Sequence, residues 1–433
     1  REGTDARSRV AQRAPRNRRS PRSGPGMKRG VESRVIAATI LERVLDEGAY
    51  SNVVVRTATE DLERRDAVFV QLLVYTAIRH LSRIDRTIDE RVSRPIDDVV
   101  RSVLRIGVAE MLFTDGEPHA GVDSAVEATK ALDVARASGF VNGVLRNVAR
   151  SGEPALPEGI AGEALRYGVP EWLYRDFHDA YGPDEAIAFF QASNLATRVG
   201  VRRRSGEATG DPVPGIADAY MIDGIAGNRD AIACGRIVVS DPSSIAVALA
   251  VEPRPGDRIV DLAAAPGGKT IHLWDMVGGD GTVVAMDRHP RRAATARRRT
   301  ERLAGGIQWV IGDAAQPPVP PASFDRVLLD APCSGFGTLR RRPEIRHRVD
   351  RAGVVAAAAL QRRMLEAALT LVRPGGRLVY SVCTVTPQET VGVVDGTGSR
   401  PPDGVPGLAL DGGVLLAPHI TESDGMFIAV IDR

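Results

Sequence analysis

Beyond about residue 235, short apolar runs alternate with helical segments, and this alternation limits the fold more than any other feature of the chain. Strands that alternate with helices form βαβ units, whose mostly parallel sheet is covered on both faces. Two more runs near the end of the chain predict a closing pair of strands. The predicted strands are 258–262, 282–286, 307–311, 326–329, 377–382, 414–417 and 426–431, and the predicted helices between them are 269–276, 290–303 and 354–372.

The first half of the chain has a different pattern. Its apolar residues recur at spacings of three and four without strand-like alternation, which predicts a compact all-α domain. Pro154, Pro157, Gly159 and Gly162 follow and predict a linker. The predicted domains are a disordered basic tail (1–33), a helical domain (34–150), a linker with a small mixed α/β subdomain (151–235) and a sheet domain (236–433).

Lysine and cysteine are scarce in this 433-residue chain. Only three of its 57 basic residues are lysine, among them Lys269, and only Cys234, Cys333 and Cys383 are cysteine. Three scattered cysteines exclude a disulfide scaffold and do not match the spacing of a zinc site, so no metal is expected. Because no apolar run reaches the roughly 18 residues of a membrane span, we expect a cytoplasmic protein with no membrane partner.

A glycine-rich loop, Asp-Leu-Ala-Ala-Ala-Pro-Gly-Gly-Lys-Thr, covers residues 261–270 after the first predicted strand. Its end fits the phosphate loop of nucleoside triphosphatases, but that pattern needs a glycine where Ala263 stands. The other interpretation is a nucleoside-type cofactor held at the carboxyl ends of the strands. It explains more residues, because the next three strands each finish on an acidic side chain: Asp287, Asp313 and Asp330.

Two of the three cysteines also follow predicted strands. Cys333 lies in Asp-Ala-Pro-Cys-Ser-Gly after the fourth strand, and Cys383 ends the fifth. Neighbouring strands lie about 5 Å apart, so the two thiols are predicted to face one cleft. Beside Asp330 and Lys269, such a pair suggests nucleophilic chemistry. Cys234 is predicted to be a small buried apolar residue.

Together these motifs resemble the RNA cytosine-5 methyltransferases of the Sun (Fmu) type. The helical half resembles the NusB-like RNA-binding domain of that family, through residues 67–75, Arg79 and residues 140–146. The similarity covers nearly everything after residue 34. The motifs of the sheet domain that carry it are the loop 263–270, Asp287, Asp313, Asp330-Ala-Pro-Cys-Ser-Gly335, Tyr380-Ser-Val-Cys-Thr384 and Asp424-Gly-Met-Phe-Ile-Ala429.

The resemblance implies a fold of three parts: an N-terminal all-α NusB-like domain, a small mixed α/β linker subdomain and a Rossmann-like class I methyltransferase domain. It also implies S-adenosylmethionine as the methyl donor and a cytidine of 16S ribosomal RNA as the acceptor. The protein is expected to act as a monomer.

The resemblance further assigns roles to individual residues. Cys383 would be the nucleophile and Cys333 would assist release of the covalent adduct. Asp330 would pair with the cytosine edge, and Lys269 would lie beside it and lower the local thiol pKa. The residues implied in cofactor binding are Ala263, Ala264, Ala265, Pro266, Gly267, Gly268, Lys269, Asp287, Asp313 and Asp330.

An alternative function is a non-catalytic RNA-binding or antitermination factor that keeps a relic methyltransferase fold. Three arginine-rich segments bear on RNA binding: 202–204, 288–302 and 340–351. We expect the first to contact RNA mainly through its charge. Of the other two, the segment 340–351 is the better phosphate contact, because it directly follows the cysteine loop.

Overall fold

The computed structural model describes residues 29–115, 118–207 and 210–433. Most of the predicted basic tail, residues 1–28, lies outside them. The rest of the tail is helical, because the first helix begins at Arg29. Val31 and Val35 on this helix pack against Ala128, so the turn before residue 34 buries apolar surface and becomes ordered. The predicted start of the helical domain is therefore too late.

The N-terminal domain is helical throughout its described residues, as predicted. Its helices are α1 (Arg29–Leu45), α2 (Ser51–Ala58), α3 (Arg64–Arg79), α4 (Leu81–Asp89), α5 (Asp98–Phe113), α6 (Pro118–Ala131) and α7 (Ser138–Ser151). Helix α5 is buried along most of its length and lies at the centre of the apolar core. At Gly107, a Cβ atom would come within 2.9 Å of Leu145 on α7, so glycine allows these two helices to pack closely.

The middle of the chain forms a small mixed subdomain. Its helices are α8 (Gly159–Tyr167), α9 (Glu171–Tyr181), α10 (Pro183–Ala192) and α11 (Arg229–Ala233). Its antiparallel sheet has the order β2-β3-β1-β4, with β1 (Val199–Arg203), β2 (Asp211–Pro212), β3 (Ala219–Ile222) and β4 (Ile237–Val239). Helix α8 corrects the predicted linker. Gly162 belongs to that helix, and a larger residue would not fit there because the Pro157 carbonyl oxygen lies against it.

The C-terminal domain alternates strands and helices, as predicted, and ends in antiparallel strands. Its strands are β5 (Arg258–Asp261), β6 (Thr282–Asp287), β7 (Gln308–Ile311), β8 (Phe324–Asp330), β9 (Val372–Val382), β10 (Leu408–Leu410), β11 (Gly413–Leu416) and β12 (Met426–Asp432). Its helices are α12 (Pro242–Ala250), α13 (Gly268–Val277), α14 (Pro290–Glu301), α15 (Arg351–Leu371), α16 (Val391–Val394) and α17 (Pro418–Thr421). Strand β10 was not expected from the sequence. No helix in the described part of the chain is long and apolar enough to cross a bilayer.

These eight strands form one sheet in the order β10-β11-β12-β9-β8-β5-β6-β7. Strands β5 to β9 pair in parallel, whereas β12 pairs antiparallel with β9, and β11 and β10 continue the sheet in further antiparallel pairs. From β5 the chain builds outwards through β6 and β7 and then crosses to β8 on the other side of β5. Open sheets bind ligands at such a switch point, outside the carboxyl ends of the strands, which here is the gap between β5 and β8.

A short helical segment, Pro343–His347, joins the sheet domain to the helical domain. Glu344 accepts hydrogen bonds from the backbone N–H and the hydroxyl of Ser51 at 3.2 and 2.6 Å. The fully buried Arg346 donates to the carbonyl oxygens of Arg79 and Tyr167. The predicted phosphate contact over 340–351 is therefore wrong for Arg346 and Arg348, whose guanidinium groups bond to backbone carbonyls of the helical domain.

Removal of the Glu344 carboxylate is expected to loosen this contact. The substitution Glu344→Ala leaves the hydroxyl and N–H of Ser51 without partners inside the interface, at a cost of about 1–3 kcal/mol. Denaturant unfolding should show the loss. Glu366→Ala, on an exposed face of α15, is the control and should change stability by no more than about 0.5 kcal/mol. Equal effects of the two substitutions would contradict a joining role for Glu344.

Candidate active site

The two predicted reactive cysteines lie together. Cys333 is in the loop after β8, and Cys383 directly follows β9, the parallel neighbour of β8. Their Sγ atoms are 3.4 Å apart and both side chains are half-buried. Parallel neighbours bring their carboxyl ends to one edge of the sheet, which is why two cysteines fifty positions apart share one cleft.

Asp330, the last residue of β8, is held by two donors. Its Oδ2 accepts from Lys269 Nζ at 2.8 Å, and its Oδ1 accepts from Ser381 Oγ at 2.8 Å. Ser381 is the register partner of Asp330 on β9. Lys269 lies in the first turn of α13, the helix that follows β5, so its contact with Asp330 spans the switch point. Burial alone would lower the pKa of Lys269, but the Asp330 carboxylate more than offsets this and raises it, so the ammonium stays charged.

The surroundings of the two thiols differ in charge. The bond from Cys333 lowers the pKa of Cys383. Burial and the Asp330 carboxylate oppose this, and the cations Arg342 and Lys269 lower it further. The pKa of Cys333 is raised well above its ordinary value by the bond to Cys383, by burial and by the nearby carboxylates Glu389 and Asp330. Two thiols in contact ionise one at a time, and these charges favour the thiolate on Cys383.

Glu389 connects the two cysteine loops and was not singled out by sequence reasoning. Its carboxylate accepts from the backbone N–H of Ser334 at 2.8 Å, from Thr386 Oγ1 at 2.8 Å and from Gln361 Nε2 at 3.0 Å. The Ser334 hydroxyl also donates to it, at 2.5 Å. Glu389 is fully buried. In sequence it is one glutamate in a loop, and only the fold shows that it lies behind both thiols.

The C-terminal motif packs against the same loops. Gly337 donates to the Cys383 carbonyl at 3.0 Å, and Gly425 donates to the Gly337 carbonyl at 2.8 Å. A Cβ atom on Gly337 would lie 1.9 Å from the Gly425 oxygen, which excludes every other residue type at that position. The motif starting at Asp424 therefore helps to hold the backbone on which Cys383 is placed.

The loop between β5 and α13 has the features of a cofactor cradle. Gly267 precedes α13 with a φ of 95°, a conformation that glycine adopts without strain. A Cβ atom on Gly268 would meet nothing within 4 Å, so the N-terminus of the helix is open. Asp261 Oδ1 is buried and has no hydrogen-bond partner among the described residues, and burial raises the pKa of Asp261 to about 7. An open helix end and an unpartnered buried oxygen fit a ligand with polar groups.

Two of the predicted acidic side chains lie along the same edge. Asp287 ends β6 and is buried, and Asp313 comes two residues after β7. Each accepts a bond from the backbone N–H two residues further on, at 2.8 and 2.9 Å. Arg292 and Arg288 lie 3.6 and 3.7 Å from their second oxygens. Their order from the cradle outwards suits the ribose and then the base of a nucleoside.

Other predictions about charged and thiol residues are wrong. Arg202 and Arg204 both pair with Asp275 on α13, so most of the predicted RNA contact at 202–204 instead ties the small sheet to the cofactor helix. Cys234 is exposed at the end of α11 rather than buried.

Arg342, from the 340–351 segment, is half-buried beside the thiols. Its Nε donates to Thr338 Oγ1 at 3.2 Å.

Comparison with known proteins agrees with this arrangement. The family model described as 16S rRNA methyltransferase RsmB/F matches residues 248–432, and the NusB family model matches residues 31–150. Ribosomal RNA small subunit methyltransferase B of Cronobacter sakazakii is 30% identical over 93% of this chain and 99% of its own. The probable enzyme of that name from Synechocystis sp. is 31% identical over 93% of this chain and 100% of its own. The solved structure of PH0851 has the same fold, with a TM-score of 0.79 and 23% identity over 94% of this chain and 99% of its own.

The fold and the cradle define an S-adenosylmethionine-dependent methyltransferase with an N-terminal NusB-like domain. Among such enzymes, the chain belongs to the family of ribosomal RNA small subunit methyltransferase B. The family therefore replaces the phosphate-loop interpretation of residues 261–270. The end of that loop carries the lysine that binds Asp330 across the switch point.

Proposed function

We propose that the protein transfers a methyl group to C5 of a cytidine in 16S ribosomal RNA through a covalent bond between Cys383 and cytosine C6. One observation carries the proposal: two thiols 3.4 Å apart, with pKa values shifted in opposite directions, beside a carboxylate held by a lysine. The family membership supports a ribosomal RNA substrate. Ala263, Ala264, Ala265, Pro266, Gly267, Gly268, Asp287 and Asp313 would hold S-adenosylmethionine, with Lys269 and Asp330 at its reactive end.

The first step uses Cys383 as a nucleophile. Cytosine C5 is a weak nucleophile, and addition of a thiolate at C6 moves an electron pair towards C5. The lowered pKa of Cys383 favours its thiolate form. Asp330 accepts hydrogen bonds from the N4 amino group and the protonated N3 of the ring, which stabilises the positive charge that favours attack. Lys269 keeps the Asp330 carboxylate in place.

S-adenosylmethionine supplies a methyl group on a positively charged sulfur when it is bound. The electron pair at C5 forms the new carbon–carbon bond, and the pair of the broken sulfur–carbon bond stays on the donor sulfur. A solvent base then removes the C5 proton, the C6–sulfur bond breaks, and its electron pair returns to Cys383. Cys333, which stays protonated, donates a hydrogen bond to the departing thiolate and so assists release.

The site also limits the form of the substrate. Attack at C6 and methylation at C5 take place on the faces of the ring, which are covered in a stacked helix, so the cytidine must be unstacked or single-stranded. Arg342 lies beside the thiols with the terminal nitrogens of its guanidinium free of hydrogen bonds within the described residues. It is placed to meet a phosphate of the RNA chain.

Transfer of labelled methyl groups to small-subunit RNA tests the proposal. We expect label from S-adenosylmethionine to enter 16S RNA and, after digestion to nucleosides, to appear as 5-methylcytidine. Label in any other nucleoside would contradict the proposed product. Binding of S-adenosylmethionine and RNA with no transfer to either free RNA or subunit precursors would favour the alternative, a non-catalytic RNA-binding factor.

A further inference from the structure

We propose that Glu389 is a positioning residue that ties the two cysteine loops together and keeps Cys333 protonated while Cys383 ionises. This inference deepens the proposed function, because it assumes that these thiols react. Its test uses no RNA, so it can fail while the proposed reaction stands. Three features of Glu389 support this role: the bonds that it makes, the lack of a paired cation among the described residues, and its effect on Cys333.

The side chain of Glu389 bonds to three parts of the chain, and its backbone carbonyl bonds to a fourth. Ser334, next to Cys333, donates both its N–H and its hydroxyl, and the side chain of Gln361 on α15 donates at 3.0 Å. Thr386, in the loop after Cys383, donates at 2.8 Å. The Glu389 carbonyl accepts from the Tyr380 hydroxyl on β9. One side chain thus connects the positions of both thiols.

Within the described part of the chain, no cation pairs with the carboxylate of Glu389. It takes part in none of the ion pairs within 4 Å among the described residues, although buried carboxylates are usually paired. Its donors are an amide, a backbone N–H and hydroxyls, which solvate the charge without cancelling it. A negative charge in this place disfavours a second one nearby.

One ionisable group on which this charge acts is the Cys333 thiol. Glu389 is among the causes that raise the pKa of Cys333, after the bond to Cys383 and burial. Asp330 raises the pKa of both thiols, whereas Glu389 acts on Cys333 and the cations Arg342 and Lys269 act on Cys383. Glu389 therefore helps to decide which sulfur is the nucleophile and which one keeps the proton that assists release.

The substitution Glu389→Gln removes the negative charge but keeps the size and shape of the side chain. The amide keeps one carbonyl oxygen for the Ser334 N–H and Gln361, and the hydroxyls of Ser334 and Thr386 can turn to accept from its NH2 group. Reduced protein is treated with iodoacetamide over a range of pH, and each cysteine is measured separately by mass spectrometry. We expect wild-type Cys383 to react at lower pH than Cys333, and Glu389→Gln to reduce this selectivity by about fivefold or more, through faster reaction of Cys333.

The matched control is Glu344→Gln, the same change at an equally buried carboxylate in the contact with the helical domain. It should leave the alkylation profile unchanged. Selectivity in Glu389→Gln within twofold of wild type, with native unfolding behaviour, would overturn the proposal. If Glu389→Gln does not fold, the pH dependence of alkylation of the two cysteines in the wild-type protein provides the test. Cys333 titrating at or below the pH of Cys383 would overturn it, and Cys333 titrating later supports it.

Discussion

Replacement of Cys383 by alanine is expected to lower the rate of methyl transfer by about a thousandfold or more, with no covalent enzyme–RNA complex at any time. The physical reason is that C5 becomes nucleophilic only after a thiolate adds at C6. In Cys383→Ala the bond to Cys383 is gone, but burial and the carboxylates Glu389 and Asp330 still raise the pKa of the remaining Cys333 thiol. Transfer of labelled methyl groups to small-subunit RNA measures the rate. Denaturing gel electrophoresis shows whether RNA stays attached to the protein.

The chain offers its own control for this experiment. Cys234 is exposed in the small subdomain, away from the β8 and β9 loops, so Cys234→Ala should methylate RNA at the wild-type rate. Binding of S-adenosylmethionine should be similar in Cys383→Ala and wild type, because the cradle lies after β5. Undiminished transfer by Cys383→Ala would show that Cys383 is not the nucleophile. It would not affect the family membership or the cofactor.

The backbone of the site could be predicted from the sequence because it depends on local patterns. Apolar runs separated by helical segments determine the parallel sheet, and the carboxyl ends of its strands bring Asp287, Asp330, Cys333 and Cys383 to one edge. The placement of these residues could be predicted without any information on side-chain packing. The contact between Lys269 and Asp330 follows from the same geometry, since β5 and β8 are neighbours.

What could not be predicted depends on contacts between distant parts of the chain. An arginine-rich segment typically indicates a phosphate contact, yet Arg346 is buried because α3 and the small subdomain close over it. Arg202 looks equally free in sequence and is paired with Asp275 on the cofactor helix. Glu389 is the opposite case: it resembles a surface glutamate until the fold brings Ser334 to its carboxylate.

Replacement of Cys333 by alanine is expected to stop turnover in a different way, with covalent RNA–protein complex accumulating to about one per enzyme. Addition of Cys383 and methyl transfer do not need Cys333, but release returns an electron pair to the Cys383 sulfur. Without the neighbouring S–H at 3.4 Å, that thiolate loses its hydrogen-bond donor. Loss of such assistance typically slows a step by about a hundredfold or more. The complex should be visible on a denaturing gel, and it should carry the labelled methyl group.

The label distinguishes a block in release from a block in transfer. A trapped complex that contains the methyl group shows that the first two steps occurred, whereas an unlabelled complex places the block before transfer. The double variant Cys333→Ala/Cys383→Ala should form no complex, because Cys383 is the proposed point of attachment. Complex formation by the double variant would contradict attachment at Cys383. If Cys333→Ala turned over at the wild-type rate, the raised pKa of Cys333 would reflect only its place beside an ionised neighbour, and release would need no second thiol.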